Sequence, residues 1–168
     1  MSGVRVYIGL GSNLDDPVAQ IKRAFVALAK LPETRVLAQS HLYKSKPLGP
    51  QDQPDYLNAV VELETQLRPL DLLRGLRALE EHHGRRRASE RHWGPRSLDL
   101  DVLLYGDIRM QTPELTLPHP GVHTRSFVLY PLAELAPALV IPGHGPVQSL
   151  RDRCHTPAIE KVEESSDG

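Results

Sequence analysis

Asp99 and Asp101 stand inside an apolar run, Leu98-Asp99-Leu100-Asp101-Val102. Side chains alternate along a strand, so both carboxylates leave the same face, with Cα atoms about 6.6 Å apart. Two carboxylates this close repel each other unless a cation lies between them. Hard oxygen donors at this span suit one or two Mg²⁺ ions, completed by water and phosphate oxygens. The bland alternative is a solvated face with two incidental acids, but such a face seldom places identical acids between Leu98 and Val102. Directly upstream runs Gly84-Arg85-Arg86-Arg87-Ala88-Ser89-Glu90-Arg91-His92-Trp93-Gly94-Pro95-Arg96, with five arginines. Guanidinium forks match phosphate oxygens and keep their charge. Alone, this stretch reads as a basic loop or an RNA contact. Beside the acid pair it reads as half of a metal–polyphosphate site, where the acids hold Mg²⁺ and the arginines hold phosphate.

Other motifs carry less. Gly9-x-Gly11 after a strand lacks the third glycine of a dinucleotide fingerprint, since Leu14 stands there, and it reads as a tight strand-to-helix turn. There is no Gly-x-x-x-x-Gly-Lys-Ser/Thr loop, so ATP, if bound, is not held by a P-loop. Eight histidines include the pair His119 and His123 and the neighbours His82-His83, but none forms a convincing zinc set with a third ligand.

Stepping from these groups to their supports, Val4, Val6 and Ile8 mark a half-buried strand. Asp15 or Asp16 before Pro17 starts an amphipathic helix over 17–30. Residues 34–43 read as a strand and 44–54 as a long loop. A strand from Tyr56 to Glu64 sets Leu57, Ala59, Val61 and Leu63 on one face and Tyr56, Asn58 and Val60 on the other. Pro69 opens a second helix despite the poor cap Arg68, and Gly84 closes it. The Asp pair lies on the next strand, and Gly106-Asp107 form a turn. The segment 123–135 is ambiguous because of Pro131. This order predicts one α+β domain, a ferredoxin-like sandwich with a mainly antiparallel sheet and helices packed on it. The domain is expected over residues 1–155, with 156–168 a frayed polar tail.

Composition fits such a domain. The chain has 168 residues, 40% apolar, with 20 basic and 21 acidic side chains. The net charge of −1 disfavours a nucleic-acid coat. The single cysteine, Cys154, excludes an internal disulfide and fits a reducing, cytoplasmic setting. The N-terminal run predicts no signal peptide, and no apolar stretch reaches membrane length.

The runs Gly11-Ser12-Asn13-Leu14, Pro47-Leu48-Gly49-Pro50-Gln51-Asp52-Gln53-Pro54-Asp55-Tyr56-Leu57-Asn58, Trp93-Gly94-Pro95-Arg96-Ser97-Leu98-Asp99-Leu100-Asp101, and Pro118-His119 with Arg125-x-Phe127 resemble the 6-hydroxymethyl-7,8-dihydropterin pyrophosphokinases of folate biosynthesis. They occur in the family's order and cover roughly residues 4 to 150. The resemblance implies a ferredoxin-like fold and transfer of pyrophosphate from ATP to the pterin hydroxymethyl group, releasing AMP. It implies that Asp99 and Asp101 ligate two Mg²⁺ ions and that Arg85 and Arg96 are the catalytic arginines of a mobile loop. Trp93 closes over both substrates. Arg87, Arg96, Thr116, His119 and Arg125 hold ATP. Tyr56 and Phe127 sandwich the pterin, while Asn58 and groups near Ser45 and Leu48 bond its edge. The chain departs from the family where His92 separates Arg91 from Trp93, and at Ala88 and Glu114, where some relatives are basic.

Two rivals remain at this level. An Asp-x-Asp nucleotidyl transferase would release pyrophosphate rather than AMP. An RNA-recognition module would share the fold class, but it needs exposed aromatics on a basic sheet, and aromatics here are only 5%. A monomer acting on ATP and the reduced pterin, with no nucleic-acid or membrane partner, is expected.

Overall fold

Val6, Ile8 and Leu10 alternate with Tyr7, Gly9 and Gly11 along β1 (Val4–Ser12). This period of two gives the strand two faces, and the whole fold follows from what covers each. The computed structural model describes residues 3–13, 16–46, 54–82 and 98–162.

β1 leads into α1 (Pro17–Ala29), whose N-cap Asp16 accepts the Ala19 N–H at 3.4 Å. The chain returns through β2 (Thr34–Gln39) and β3 (Tyr43–Ser45), then β4 (Tyr56–Thr65), α2 (Pro69–His82) and β5 (Asp99–Tyr105). These strands form an antiparallel sheet in the order β3-β4-β1-β5, with β2 beside β3 on the same flank of β4. This is the ferredoxin-like arrangement expected from the sequence. Short hairpins follow, β6 (Met110–Gln111) with β7 (Thr116–Leu117), and β8 (Val140–Ile141) with β9 (Gly145–Pro146). Between them lies α3 (Ser126–Leu135), and α4 (Val147–Asp152) and β10 (Ile159–Lys161) complete the described chain.

Ile21, Ala24 and Leu28 of α1 and Leu72, Leu73 and Leu76 of α2 pack on Val6, Ile8, Leu10, Ala59, Val61 and Leu63. Burying each leucine is worth about 1.5–3 kcal/mol. Three of them outweigh the missing cap at Arg68, which is worth about 1 kcal/mol. The opposite face is partly covered by α3, which sets Val128, Leu129, Leu132 and Ala133 against Tyr7, Val60, Leu103 and Leu104. Leu103 and Leu104 reach the same side because the register shifts between Tyr7 and Ile8. The rest of this face, toward Gly11, Asp99 and Asn58, is the part α3 leaves for a site.

Four segments differ from the sequence reading. Gly9 and Gly11, read as a tight strand-to-helix turn, continue β1 to Ser12, because both pair with β4 on one side and β5 on the other. The strand expected over 34–43 is broken at Ser40, whose Oγ accepts the Val60 N–H at 2.9 Å and replaces a ladder bond. The segment 126–135 is helical with Pro131 inside it. Proline removes the N–H that would bond the Phe127 carbonyl, and burial of four apolar neighbours offsets that loss. Part of the expected polar tail is ordered. Ile159–Lys161 pair with Ser45, Lys44 and Tyr43, and the Val162 N–H bonds the Leu42 carbonyl at 2.8 Å. Backbone pairing to an open sheet edge needs no apolar side chains, so the composition of this segment did not reveal it.

Candidate active site

Asp99 and Asp101 lie on β5 opposite Gly11 and Gly9 of β1. Both carboxylates are half-buried, while Leu98, Leu100 and Val102 point into the core between α1, α2 and the sheet. The alternation read from the sequence is therefore the alternation in the fold. Gly11 also pairs with Asn58 on β4, and Asn58 with Tyr43 on β3. One row thus runs Asp99, Gly11, Asn58, Tyr43 across four strands. At about 4.8 Å per strand, Asp99 and Asn58 are separated by about 9.6 Å of backbone. The glycine keeps the floor between them low, since a Cβ at Gly11 would stand 3.5 Å from Asn58 Oδ1 and 3.7 Å from Tyr56 Cδ1.

On the Asp101 side, the Leu103 carbonyl accepts the His119 N–H at 2.9 Å, which ties the loop after β7 to β5. His119 Nδ1 accepts the Gly121 N–H at 3.0 Å, so in the neutral ring the proton sits on Nε2. Burial pushes the His119 pKa down, Asp101 pulls it partly back, and Arg125 and Arg77 push it down again. The result is a neutral imidazole that offers one N–H donor. Arg125 precedes α3, and its guanidinium lies 5.9 Å from the centre of the Phe127 ring. It also lies against Gly121, where a Cβ would come within 2.6 Å of Arg125 Cζ. Thr116 is half-buried on β7, which packs on β5.

On the Asn58 side, Tyr56 is half-buried on the same strand face, and Ser45 pairs with Tyr56. Asn58 Nδ2 donates to Ser45 Oγ at 2.8 Å and to the Tyr43 carbonyl at 3.1 Å. Phe127 lies in the first turn of α3, half-buried against the cluster beneath that helix, and α3 packs on β4 and β3. β3 is fastened to α3 by Glu134, which accepts from Tyr43 Oη at 2.7 Å and from the His41 N–H at 3.1 Å.

Asp99, Asp101, Thr116, His119 and Arg125 thus stand toward one end of the sheet face, and Ser45, Tyr56 and Asn58 toward the other. Arg85, Arg87, Arg96, Trp93 and Leu48 lie outside the described residues. No group of three or more His, Cys, Asp or Glu side chains among the described residues forms a metal site. Two carboxylates backed by water and phosphate oxygens is the donor chemistry Mg²⁺ accepts, so the Asp pair fits that ion. His123, paired with His119 in sequence, instead stacks on His144 with ring centres 3.7 Å apart.

Three contributors escaped the sequence reading. Gly121 is needed only because a guanidinium lies against it. Glu134 and the pair Arg77 and Glu80 look like ordinary helix-surface charges. The one available signal was their position facing a strand, which sequence alone does not place.

A ferredoxin-like sheet with two strand-face carboxylates, and the Arg125 guanidinium and the neutral His119 ring beside them, suits a group-transfer enzyme that handles a polyphosphate. The comparisons agree. The family model described as 7,8-dihydro-6-hydroxymethylpterin-pyrophosphokinase (HPPK) matches residues 7–137. The 2-amino-4-hydroxy-6-hydroxymethyldihydropteridine pyrophosphokinase of Pseudomonas aeruginosa is 49% identical over 94% of this chain and 96% of its own. That of Haemophilus influenzae is 52% identical over 83% of this chain and 86% of its own. Among solved structures, an HPPK-DHPS in complex with substrates superposes with a TM-score of 0.71 at 11% identity. It covers 90% of this chain, which spans 43% of that longer one, and it speaks to the fold alone. The chain belongs to the 7,8-dihydro-6-hydroxymethylpterin pyrophosphokinase family. It is a pyrophosphokinase of folate biosynthesis, an enzyme that moves pyrophosphate from ATP to the hydroxymethyl group of the dihydropterin.

Proposed function

We propose that this transfer takes place on the open half of the sheet face, with Mg²⁺ held by Asp99 and Asp101 and the pterin held at Asn58. The observation that carries this reading is the row Asp99, Gly11, Asn58, which sets a metal-binding acid one glycine away from a polar group able to bond a heterocycle edge.

The pterin hydroxyl oxygen attacks the β-phosphorus of ATP, the bond from that phosphorus to the α–β bridging oxygen breaks, and AMP leaves. The hydroxyl proton is lost to solvent. Two Mg²⁺ ions, when bound, neutralise the triphosphate and lower the pKa of the attacking hydroxyl. The chain itself positions and neutralises charge, as phosphoryl-type transfers require. His119, neutral with its proton on Nε2, donates to a phosphate oxygen without the charge of an imidazolium. Arg125 supplies a guanidinium braced by Gly121 and Phe127. Arg85 and Arg96 stabilise charge on the transferred group, Arg87 and Thr116 hold the nucleotide, and Trp93 closes the site. Tyr56 and Phe127 stack on the pterin, and Asn58, Ser45 and the Leu48 backbone bond its edge.

No helix among the described residues is long and apolar enough to cross a membrane. The buried free thiol of Cys154 fits a reducing, cytoplasmic setting, and a monomer with a single catalytic domain completes the proposal. Incubating the protein with Mg²⁺, ATP and the reduced hydroxymethylpterin tests the reaction through the nucleotide released. AMP supports pyrophosphate transfer, ADP marks an ordinary kinase, and pyrophosphate marks an adenylyl transferase.

A further inference from the structure

Among the described residues β5 ends the sheet, and no described strand pairs with the outward backbone groups along it. At Leu100, the residue between the two aspartates, α2 takes the place of a strand. Glu80 Oε2 accepts the Leu100 N–H at 2.8 Å, and Arg77 Nη1 donates to the Leu100 carbonyl at 2.8 Å. The same Nη1 lies 2.9 Å from Glu80 Oε1. The Glu80 side chain is 1% exposed. One donor and one acceptor, three residues apart on a helix, thus reproduce for one residue what a neighbouring strand offers.

The consequence for the aspartates is geometric. Because the Leu100 N–H and C=O turn outward to α2, those of Asp99 and Asp101 turn inward to β1. Locking Leu100 therefore locks the pleat that sends both carboxylates to the same face. The pair is more than a link between two charges, since Glu80 is buried, Arg77 is 33% exposed and both bond the Leu100 backbone directly. A free strand edge would let β5 twist, and the separation and direction of the two carboxylates would vary with it.

We infer that Arg77 and Glu80 form a positioning pair for Asp99 and Asp101, acting through the Leu100 backbone to hold two carboxylates in the geometry of a shared metal–polyphosphate ligand. This rests on the metal role proposed above for the aspartates. Neither Arg77 nor Glu80 is a catalytic residue in this scheme.

The test compares the parent with the double variant Arg77→Leu/Glu80→Leu, which removes the fork but keeps apolar volume, and with Glu80→Gln, which keeps shape and one acceptor. Four quantities are measured: the melting temperature, amide exchange at Leu100 in metal-free protein, Mn²⁺ binding by EPR with a non-hydrolysable ATP analogue, and binding of the pterin without metal. The expected result is faster exchange at Leu100, Mn²⁺ binding weakened about 10–100-fold, and metal-free pterin binding unchanged. Should the double variant fail to fold, Glu80→Gln carries the comparison, with the same ordering of effects. Parent-like Mn²⁺ binding beside faster Leu100 exchange would show a mere staple between α2 and β5 and overturn the inference. Asp99→Asn and Asp101→Asn are run in parallel. If they too bind Mn²⁺ normally, the metal reading itself falls and the positioning role falls with it. If only they lose Mn²⁺, the positioning role alone is wrong.

Discussion

Asn58 donates both of its amide hydrogens to β3, one to Ser45 Oγ and one to the Tyr43 carbonyl. The carbonyl can only accept, so the atom facing it must be the NH₂ group, and the side chain cannot be flipped. Asn58 Oδ1 is then the atom left for a ligand, and it can only accept. Ser45, which accepts from Asn58, keeps its own hydroxyl hydrogen to donate. The strand pair thus presents one acceptor and one donor side by side, a match for the amino and ring-nitrogen edge of a pterin.

Ser45→Ala should therefore act at two levels. One Nδ2 hydrogen is left without its partner in a buried place, which costs about 1–3 kcal/mol and lowers the melting temperature. Pterin binding should weaken by about tenfold, a loss of roughly 1.4 kcal/mol, with Mg-ATP binding unchanged. Calorimetric titration of each substrate decides it, and equal loss of both would point to a packing defect instead.

Asp99→Asn and Asp101→Asn should abolish turnover while the fold persists, because the side chains point away from the leucine core. Each removes a charged ligand from a site worth several kcal/mol in the transition state. Steady-state assays over a Mg²⁺ series, beside a thermal melt, check this. Near-parent rates at high Mg²⁺ would remove the aspartates from the mechanism.

Gly121→Ala tests Arg125 without touching it. The new Cβ would crowd the middle of the Arg125 side chain, with Cζ at 2.6 Å and Cδ at 2.9 Å. A flexible side chain moves aside at small cost in stability, so the melting temperature should hardly change. The KM for ATP should rise several-fold and the KM for pterin should not. Unchanged kinetics for both substrates would mean that Arg125 does not hold the nucleotide.

His119 gives the protein a pH signature. Burial lowers its pKa in the folded state, while the unfolded ring titrates near about 6.5. The unfolded chain thus binds the proton more readily, and stability is lost as the pH falls from about 6.5 toward the folded value. Asp101→Asn should lower the His119 pKa further, because Asp101 attracts the proton, and Arg125→Ala should raise it. NMR titration of the ring in metal-free protein reads both shifts, and a shift of the opposite sign in either variant would contradict this electrostatic arrangement.

Strand faces were the most legible part of the chain. Tyr56, Asn58 and Val60 against Ala59, Val61 and Leu63 follow from a period of two, and so do Asp99 and Asp101 against Leu98, Leu100 and Val102. Asp15 or Asp16 before Pro17 marked the start of α1 through cap chemistry, and the fold uses Asp16. What stayed hidden depends on partners distant in sequence. Ser40 breaks a strand only because the Val60 N–H faces its hydroxyl. Pro131 sits in a helix only because tertiary burial outweighs a missing hydrogen bond. Arg77 and Glu80 have the spacing of any solvated i, i+3 pair, and only the bare edge of β5 gives them a task. Phe127 was named through a family likeness rather than through any pattern in its own segment.

The two faces of the sheet also separate two kinds of constraint on how this chain can change. Alternate residues of β1, β4 and β5 belong to the core under α1 and α2, and the residues between them divide into those packed under α3, such as Tyr7, Val60 and Leu104, and those on the open part proposed for the substrates. A substitution on that open part, at Tyr56 or Asp99, removes little packing, so the face proposed for the substrates can be rewritten while the protein still folds. Combinatorial libraries confined to those positions should yield mostly folded, altered proteins, whereas libraries of equal size at Ile8, Val61 and Leu100 should yield mostly unfolded ones.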